Sequence, residues 1–368
     1  MNLDLIYALE QLEKEKGIQK DVILEAIEAA LVLAYKKNFV SNQNIKVRVD
    51  RDTGEVHAFS LRKVVSEVLD ESGEVSLEEA RKDNPTIEEG DIFETEVTSK
   101  KFGRIAAQTA KQVVLQRLRE AQRDMIFDDF SGKVGEIVTG IVQRSERGNV
   151  IIDLGKTEAI LPYKEQVPRE KYAFNDRIKV YVKDVKKTTK GPLIYVSRAD
   201  AGLVQKLFEL EVPEIASGLV EVRGISREAG SRTKIAVYCK DDDVDPIGAC
   251  VGPRGTRVQN IVDELRNEKI DIIKWSSDVE EYITSSLSPA KPIRVTINEE
   301  EKSASVVVPD SQLSLAIGRE GQNVRLAVKL TGWKIDIKNS SDLRQTIEKQ
   351  LLNFDASALF KDDTENDE

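Results

Sequence analysis

Two glycine pairs in this sequence have the spacing to approach a phosphate: Gly252-Pro-Arg-Gly255 and Gly318-Arg-Glu-Gly321. Glycine has no Cβ, so a Gly-x-x-Gly turn bends sharply and lets the backbone come close to an anion. A helix that follows at once turns its unpaired N–H groups and the positive end of its dipole toward the same anion. Each pair does precede an amphipathic stretch. Val258, Ile261, Val262 and Leu265 form the apolar stripe after the first. Arg254 and Arg257 add positive charge there; Arg319, Gln322 and Arg325 serve the second pair, where Glu320 departs toward negative charge. Leu326 and Leu330 stand where the first helix has Asn260 and Glu264, which reads either as packing on a neighbour or as core filling.

The two pairs are 66 residues apart, and each leads to the word Lys-Ile-Asp-Ile, beginning at Lys269 and Lys334, 65 residues apart. A repeat that keeps both a turn and a distant strand-like word is a repeated fold unit. Each copy reads helix, strand, strand, helix, Gly-x-x-Gly, helix, strand. The first has Leu203–Leu210, Leu219–Ile225 and Lys234–Cys239, with Asp245 and Pro246 as N-cap and first helical residue. The second has Asp278–Ser286, Ile293–Ile297 and Ser303–Val308, with Asp310 as the expected cap. This order resembles the KH domain in its type II arrangement. The resemblance implies that Gly252, Pro253, Arg254, Gly255, Arg257 and Lys269, and Gly318, Arg319, Gly321, Gln322 and Arg325, contact RNA. With Glu320 in the second turn, the first is expected to be the stronger backbone contact.

Residues 131–200 alternate short β-rich runs with glycines, among them Gly135, Gly140, Gly148 and Gly155. About five strands in this length fit a small closed barrel. Gly132-x-x-Gly135, Thr139-Gly140, Ile152-Asp-Leu-Gly155, Ala159-Ile-Leu-Pro162, Asp176-Arg-Ile-Lys-Val180 and Val196-Ser-Arg198 resemble the S1 domain, an OB-type RNA-binding barrel. Asn149-Val-Ile stands where S1 domains often carry an aromatic, so Arg144, Arg147, Tyr163 and Lys164 are the candidates left for RNA contact. Phosphate contacts should then outweigh base stacking. The joins near Asp200 and at Ser276-Ser277 are short, so the barrel and both repeats should form one rigid array.

The elements upstream must present this array. Residues 1–40 read as two helices, from Leu3, Ile6, Leu9 and Leu12 and then from Val22 onward, with Gly17 between them. Asn44 to Val65 alternates around Asp52-Thr-Gly54, a hairpin signal. Ser76-Leu-Glu-Glu79 is a capping box, and Asp91–Val97 reads as a strand. A long helix is expected from about Arg104 to Phe130, roughly 40 Å, as a strut to the next module. Lys36, Lys37, Lys100, Lys101, Arg104 and Lys111 lie at helix ends near it, and could hold an RNA hairpin if they converge. At the other end, Ile347 and Leu351 suggest a short helix before an acidic, disordered tail.

Net charge is −10, yet the sign is uneven: residues 131–200 hold 14 Lys+Arg against 9 Asp+Glu, and residues 1–130 hold 19 against 26. A basic module inside an acidic chain suits RNA in the middle and a protein partner at the end. Asp241, Asp243 and Asp245 mimic the start of a calcium loop, which Pro246 and Gly252 break. Two cysteines and one histidine give no zinc pattern. His57 has no catalytic partner, and no nucleotide-binding or hydrolase motif occurs. The reading is no enzyme, no metal and no cofactor, in a cytoplasmic monomer with no membrane segment.

An N-terminal α/β domain with a long helix, one S1 barrel and two tandem KH domains form a multidomain α+β chain. In that order they resemble the NusA family of bacterial transcription termination and antitermination factors, most specifically at Asp245–Gln259, Ile317–Ala327 and Thr331–Asp336. The expected limits are residues 1–130, 131–200, 201–276, 277–343 and a tail, 344–368. The family resemblance implies that residues 1–130 bind RNA polymerase and that the array engages nascent single-stranded RNA and hairpins. Other antitermination factors are further expected partners. Two alternatives are a ribonuclease and a ribosome-associated protein. In the polynucleotide phosphorylase family, however, KH precedes S1 and follows large catalytic domains. The further acidic repeats of some NusA members have no counterpart here.

Overall fold

The alternation of apolar and polar residues from Asn44 to Val65 builds a hairpin, β1 (Asn44–Val49) and β2 (Val56–Val65), antiparallel around the expected turn. The structure, a computed structural model, describes residues 6–341 except 8, 12, 15–18, 40–43, 71 and 242, together with residue 344. The expectations at Leu3, Leu12, Ile347, Leu351 and the acidic tail lie outside the described residues. Contacts divide the chain into two units: residues 1–128 with 189–192, and residues 129–188 with 193 onward. Each is taken by itself.

In the first unit, helix α1 (Lys20–Phe39) buries Ile23, Leu24, Ile27, Leu31 and Tyr35. They pack on Ile45, Val47, Val49 and Ala58 of the sheet. A strand missing from the sequence reading, β3 (Glu74–Ser76), pairs parallel with β2; its three residues are too short to show a period. Helix α2 (Leu77–Asp83) follows, and Ser76 Oγ accepts from Glu79 N, as the capping box requires. Strand β4 (Ile92–Glu96) returns to β2.

The long helix α3 (Lys100–Ser131) starts four residues before the expected Arg104, because Ser99 Oγ accepts the Phe102 N–H and the helix runs through Gly103. Its 32 residues span about 48 Å. Phe102, Ala106 and Ala110 are buried in the first core, so its N-terminal part is a core element as well as a connector.

The second unit begins with a closed barrel: β5 (Ile137–Glu146), β6 (Asn149–Asp153), β7 (Glu158–Leu161), β8 (Arg177–Thr188) and β9 (Gly191–Ser197), in the order β5-β6-β7-β9-β8. Gly140 is required by packing, since a Cβ there would stand 2.4 Å from Ile152 Cγ2.

Each repeat then gives a three-stranded sheet. The first holds β10 (Val220–Glu228), β11 (Arg232–Cys239) and β12 (Lys269–Lys274); the second holds β13 (Arg294–Asn298), β14 (Ser303–Val308) and β15 (Lys334–Asn339). The first two strands pair antiparallel, and the last joins in parallel. The repeated Lys-Ile-Asp-Ile word is this parallel strand: Lys269 pairs with Arg232 and Lys334 with Ser303, the first residue of the middle strand each time. Helices cover one face: α4 (Ala201–Glu211), α5 (Pro213–Ala216), α6 (Pro246–Val251) and α7 (Thr256–Glu264) in the first repeat, and α8 (Val279–Ser286), α9 (Leu313–Ile317) and α10 (Gln322–Thr331) in the second. Cys239 and Cys250 are buried in the first repeat, and burial pushes the Cys250 thiol up to about 12.

Buried ion pairs fasten the modules of this unit. Arg198, 1% exposed, donates to both Glu170 carboxylate oxygens, to Glu264 Oε1 at 3.1 Å and to the carbonyls of Lys179 and Glu264. Arg227 forms a two-bond pair with the buried Glu268 at 2.9 Å, and donates to Asp200 O. Arg198 makes five hydrogen bonds and Arg227 three, and pairing of this kind is the condition under which a buried charge is tolerated. Barrel and first repeat therefore meet through a satisfied polar seam, in keeping with the rigid array.

Candidate nucleic-acid interface

Asp245 caps α6 by accepting from Ile247 N at 3.0 Å, and Pro246 starts it. The helix ends after six residues at Gly252, whose φ of 74° and ψ of 175° suit only glycine. Arg254 (φ 54°) and Gly255 (φ 79°, ψ 13°) are left-handed, and α7 begins at Thr256. The second turn repeats this within a few degrees: Gly318 at 77° and 172°, Glu320 at 53° and 28°, Gly321 at 73° and 15°. No side chain caps α7 or α10; the Thr256 and Gln322 N–H groups donate back to Pro253 O and Arg319 O, and each helix start still turns the positive end of its dipole outward. A Cβ at Gly255 or Gly321 would meet nothing within 4 Å: this is the open side of each turn.

Asp310 is not the cap of the second turn. Proline precedes it here, whereas Pro246 follows Asp245, so a 3-10 turn over Asp310–Gln312 leads into α9. The Asp310 carboxylate instead accepts from Ser340 Oγ at 3.1 Å and Ser341 N at 3.2 Å, and the Ser341 hydroxyl holds its carboxyl below the usual range.

The charged candidates separate into two groups. Arg254 is exposed on the first turn; Arg319 and Glu320 are exposed on the second, 3.8 Å apart. Lys269 is exposed at the start of an edge strand. Arg257 is a brace: its Nη1 donates to Ala249 O at 2.6 Å and to Glu214 at 2.9 Å, and its stem lies where a Gly252 Cβ would be. Asn323 takes the equivalent place in the second repeat, donating to Ala316 O and Leu287 O at 3.0 Å.

Gln322 and Arg325 are also occupied. Gln322 Nε2 donates to Glu228 at 2.8 Å and Ser231 at 2.7 Å; Arg325 bonds Glu228 twice and Glu320 O at 3.0 Å. They tie the second turn to the β10–β11 hairpin of the first repeat. Leu330 packs there too, 3.3 Å from a Gly224 Cβ, which favours packing on a neighbour. Glu214, Glu228 and Asn323 carry these braces, and no local motif marked them.

On the barrel, Arg144 pairs with both oxygens of Glu158, at 2.7 and 2.9 Å, which raises its pKa. Arg147 and Gly148, both at positive φ, make the two-residue turn between β5 and β6. Asn149 Oδ1 accepts from Tyr163 N, and Gln166 donates to Gly148 O, so this tip meets the 3-10 turn at Tyr163–Glu165. Arg147, Tyr163 and Lys164 are exposed together there, and Tyr163 is 76% exposed.

In the first unit, Tyr35 stacks on Phe39 with centroids 4.6 Å apart and meets the edge of Phe102 at 5.0 Å. This packing brings the end of α1 to the start of α3. Lys36 and Lys37 lie in the last turn of α1, and Lys100, Lys101 and Arg104 open α3, with Lys101 Nζ 5.8 Å over the Phe39 ring and Lys111 two turns beyond Arg104. All six are exposed, with no acidic partner among the described residues. His57 bonds Glu96 at 2.9 Å, and among the described residues no His, Cys, Asp and Glu cluster could hold a metal ion.

An S1 barrel fastened to two KH repeats, each presenting an uncapped Gly-x-x-Gly turn, defines a multidomain RNA-binding protein. Sequence profiles match in that order: the NusA N-terminal domain at residues 4–124, the S1 RNA binding domain at 132–197, the NusA-like first KH domain at 198–275 and the NusA-like second KH domain at 279–345. Relatives named transcription termination/antitermination protein NusA align along nearly the whole of this chain. That of Halalkalibacterium halodurans is 54% identical over 370 residues, 100% of this chain and 97% of its own. That of Bacillus subtilis is 56% identical, covering 98% of this chain and 97% of its own; that of Thermus thermophilus is 41% identical, covering 95% and 94%. The chain belongs to the NusA family.

Proposed function

We propose that this chain is a non-enzymatic transcription factor that docks on RNA polymerase and holds nascent RNA, modulating pausing, intrinsic termination and antitermination. Residues 1–130 form the polymerase-binding domain, 131–200 the S1 domain, 201–276 and 277–343 the KH domains, and 344–368 the tail. Single-stranded RNA lies on Gly252–Gly255 and Gly318–Gly321, with Arg254, Arg319 and Lys269 nearest the phosphates and Arg147, Tyr163 and Lys164 on the barrel. Hairpins meet the basic corner of the first unit, and other antitermination factors join the monomer in the cytoplasm. No helix among the described residues is long and apolar enough to cross a membrane.

The observation that carries the reading is the pair of near-identical turns, each opening an uncapped helix onto free space. The experiment is a polymerase pull-down alongside RNA binding. Residues 1–130 should retain polymerase, and residues 131–343 should retain RNA but not polymerase. Capture of polymerase by residues 131–343 alone would sink this division of labour.

A further inference from the structure

Phe174 sits in the loop between β7 and β8, and among the described residues it is the only exposed phenylalanine, at 78%. Its backbone is not loose. Asp176 N donates to Ala173 O at 3.1 Å, Asn175 N to Val142 O at 2.9 Å, and Asp176 Oδ2 accepts from Ala173 N at 3.1 Å. Asn175 takes a φ of 69°, closing a tight turn with Phe174 at its second position. Two residues earlier the same loop buries most of Tyr172, whose hydroxyl bonds Glu170 and the Val167 N–H. A hydrogen-bonded turn thus holds an aromatic ring out in water beside a residue that is packed inward.

A lone exposed apolar residue is ordinary; the charges near this one are not balanced. Arg169 and Lys171 on the same loop and Arg177 at the start of β8 are exposed and have no acidic partner among the described residues. Arg266 of the first KH repeat reaches to 3.9 Å from Asp176. The neighbouring acids are occupied: Glu170 and Glu264 by Arg198, and Asp176 by the Ala173 N–H and Arg266. Arg266 comes just after Leu265, the C-cap of α7, whose nine residues span about 13 Å. The Gly252–Gly255 turn is at one end of that helix, and the Phe174 turn is at the other.

We propose that Phe174 is a stacking platform for an unpaired RNA base at the seam between barrel and first KH repeat, with Arg177 contacting a flanking phosphate. It extends a strand held at Gly252–Gly255 onto the barrel, and it rests on the RNA-binding reading above. Aromatic stacking tolerates any base, because every base has a π-face, and guanidinium groups beside the ring add charge attraction.

The test uses the full chain and two labelled, unstructured RNAs read by fluorescence anisotropy. One has about eight nucleotides, the reach of two KH clamps, and the other about twice that. Phe174→Ala should bind the long RNA about 10-fold more weakly, leave the short one unchanged and melt like the parent. Phe174→Trp should restore the long-RNA affinity. Equal long-RNA affinity for parent and Phe174→Ala overturns the proposal, as does an equal loss on both RNAs. If the parent binds neither RNA, the RNA-binding reading itself falls, an outcome visible before any variant is compared.

Discussion

Replacing Gly255 by aspartate separates phosphate binding from folding. Gly255 is left-handed, and a Cβ built on it meets nothing within 4 Å. Aspartate and asparagine visit that conformation more readily than most residues, so the backbone cost stays near or below about 1 kcal/mol. Gly252 offers no such clean test. A Cβ there would stand 2.6 Å from Arg257 Cγ, and substitution would disturb the brace to Ala249. A carboxylate at position 255 stands at the uncapped start of α7, where the phosphate is proposed to lie. Two unit charges about 5 Å apart repel by about 0.8 kcal/mol in water and about 3 kcal/mol at an effective dielectric of 20. RNA affinity should therefore fall between about 4-fold and about 300-fold. Gly255→Asn has the same size without the charge, and should stay within about 3-fold of the parent. Anisotropy with single-stranded RNA at one fixed low salt concentration, with thermal melts alongside, makes the comparison. If both variants melt normally and bind RNA equally well, charge at this helix start is irrelevant and the reasoning is refuted.

Removing Arg198 strands Glu170 and Glu264 at the barrel seam; Arg198→Ala should cost about 3–5 kcal/mol and lower the melting temperature of the second unit, and an unchanged melt contradicts the seam's role. Arg325 beside Glu228 holds that carboxyl below its ordinary 4.5. A depressed folded pKa stabilises the joint fully above about 4.5 and loses that contribution as pH falls through the folded value. Hydrogen-exchange protection at residues 228–232, taken relative to the intrinsic rate at each pH, should then fall only on acidification, and Glu228→Gln should flatten the response. Charge reversal at Lys36, Lys37, Lys100, Lys101 and Arg104 should weaken pausing at an RNA hairpin and leave short-RNA affinity unchanged; intact pausing would mark these as ordinary surface charges.

Most of the architecture was legible because its signals are local. Ser76 to Glu79, Asp52-Thr-Gly54 and Asp245-Pro246 each specify a cap or turn within four residues, and each acts as read. The repeat supplied the KH topology, since Lys-Ile-Asp-Ile marks the parallel strand in both copies. The readings that changed depend on partners far along the chain. Arg257, Gln322 and Arg325 look like phosphate ligands from sequence because a basic or amide residue just after Gly-x-x-Gly is near the helix start. Their partners, Glu214 and Glu228, are 43 and more than 90 residues away. Asp310 failed for a local reason instead: the order of proline and aspartate is reversed relative to the first copy, and that order decides between a cap and a 3-10 lead-in.

The two turns share their backbone angles but not the means of holding them. In the first copy the brace is internal: Arg257 links Ala249 O to Glu214 within one repeat. In the second, Asn323 holds the end of α9, while Arg325 grips the Glu320 carbonyl inside the turn and is itself clamped by Glu228 of the first repeat. The dependence therefore runs one way, because loosening the joint releases the second turn and leaves the first intact. Arg325 neutralises Glu228 at that joint, so it adds little free positive charge for RNA, and exposed Glu320 offsets Arg319 beside it. The first turn keeps an exposed Arg254 with no such offset and a brace of its own, and on that ground we propose it as the stronger and more independent phosphate contact.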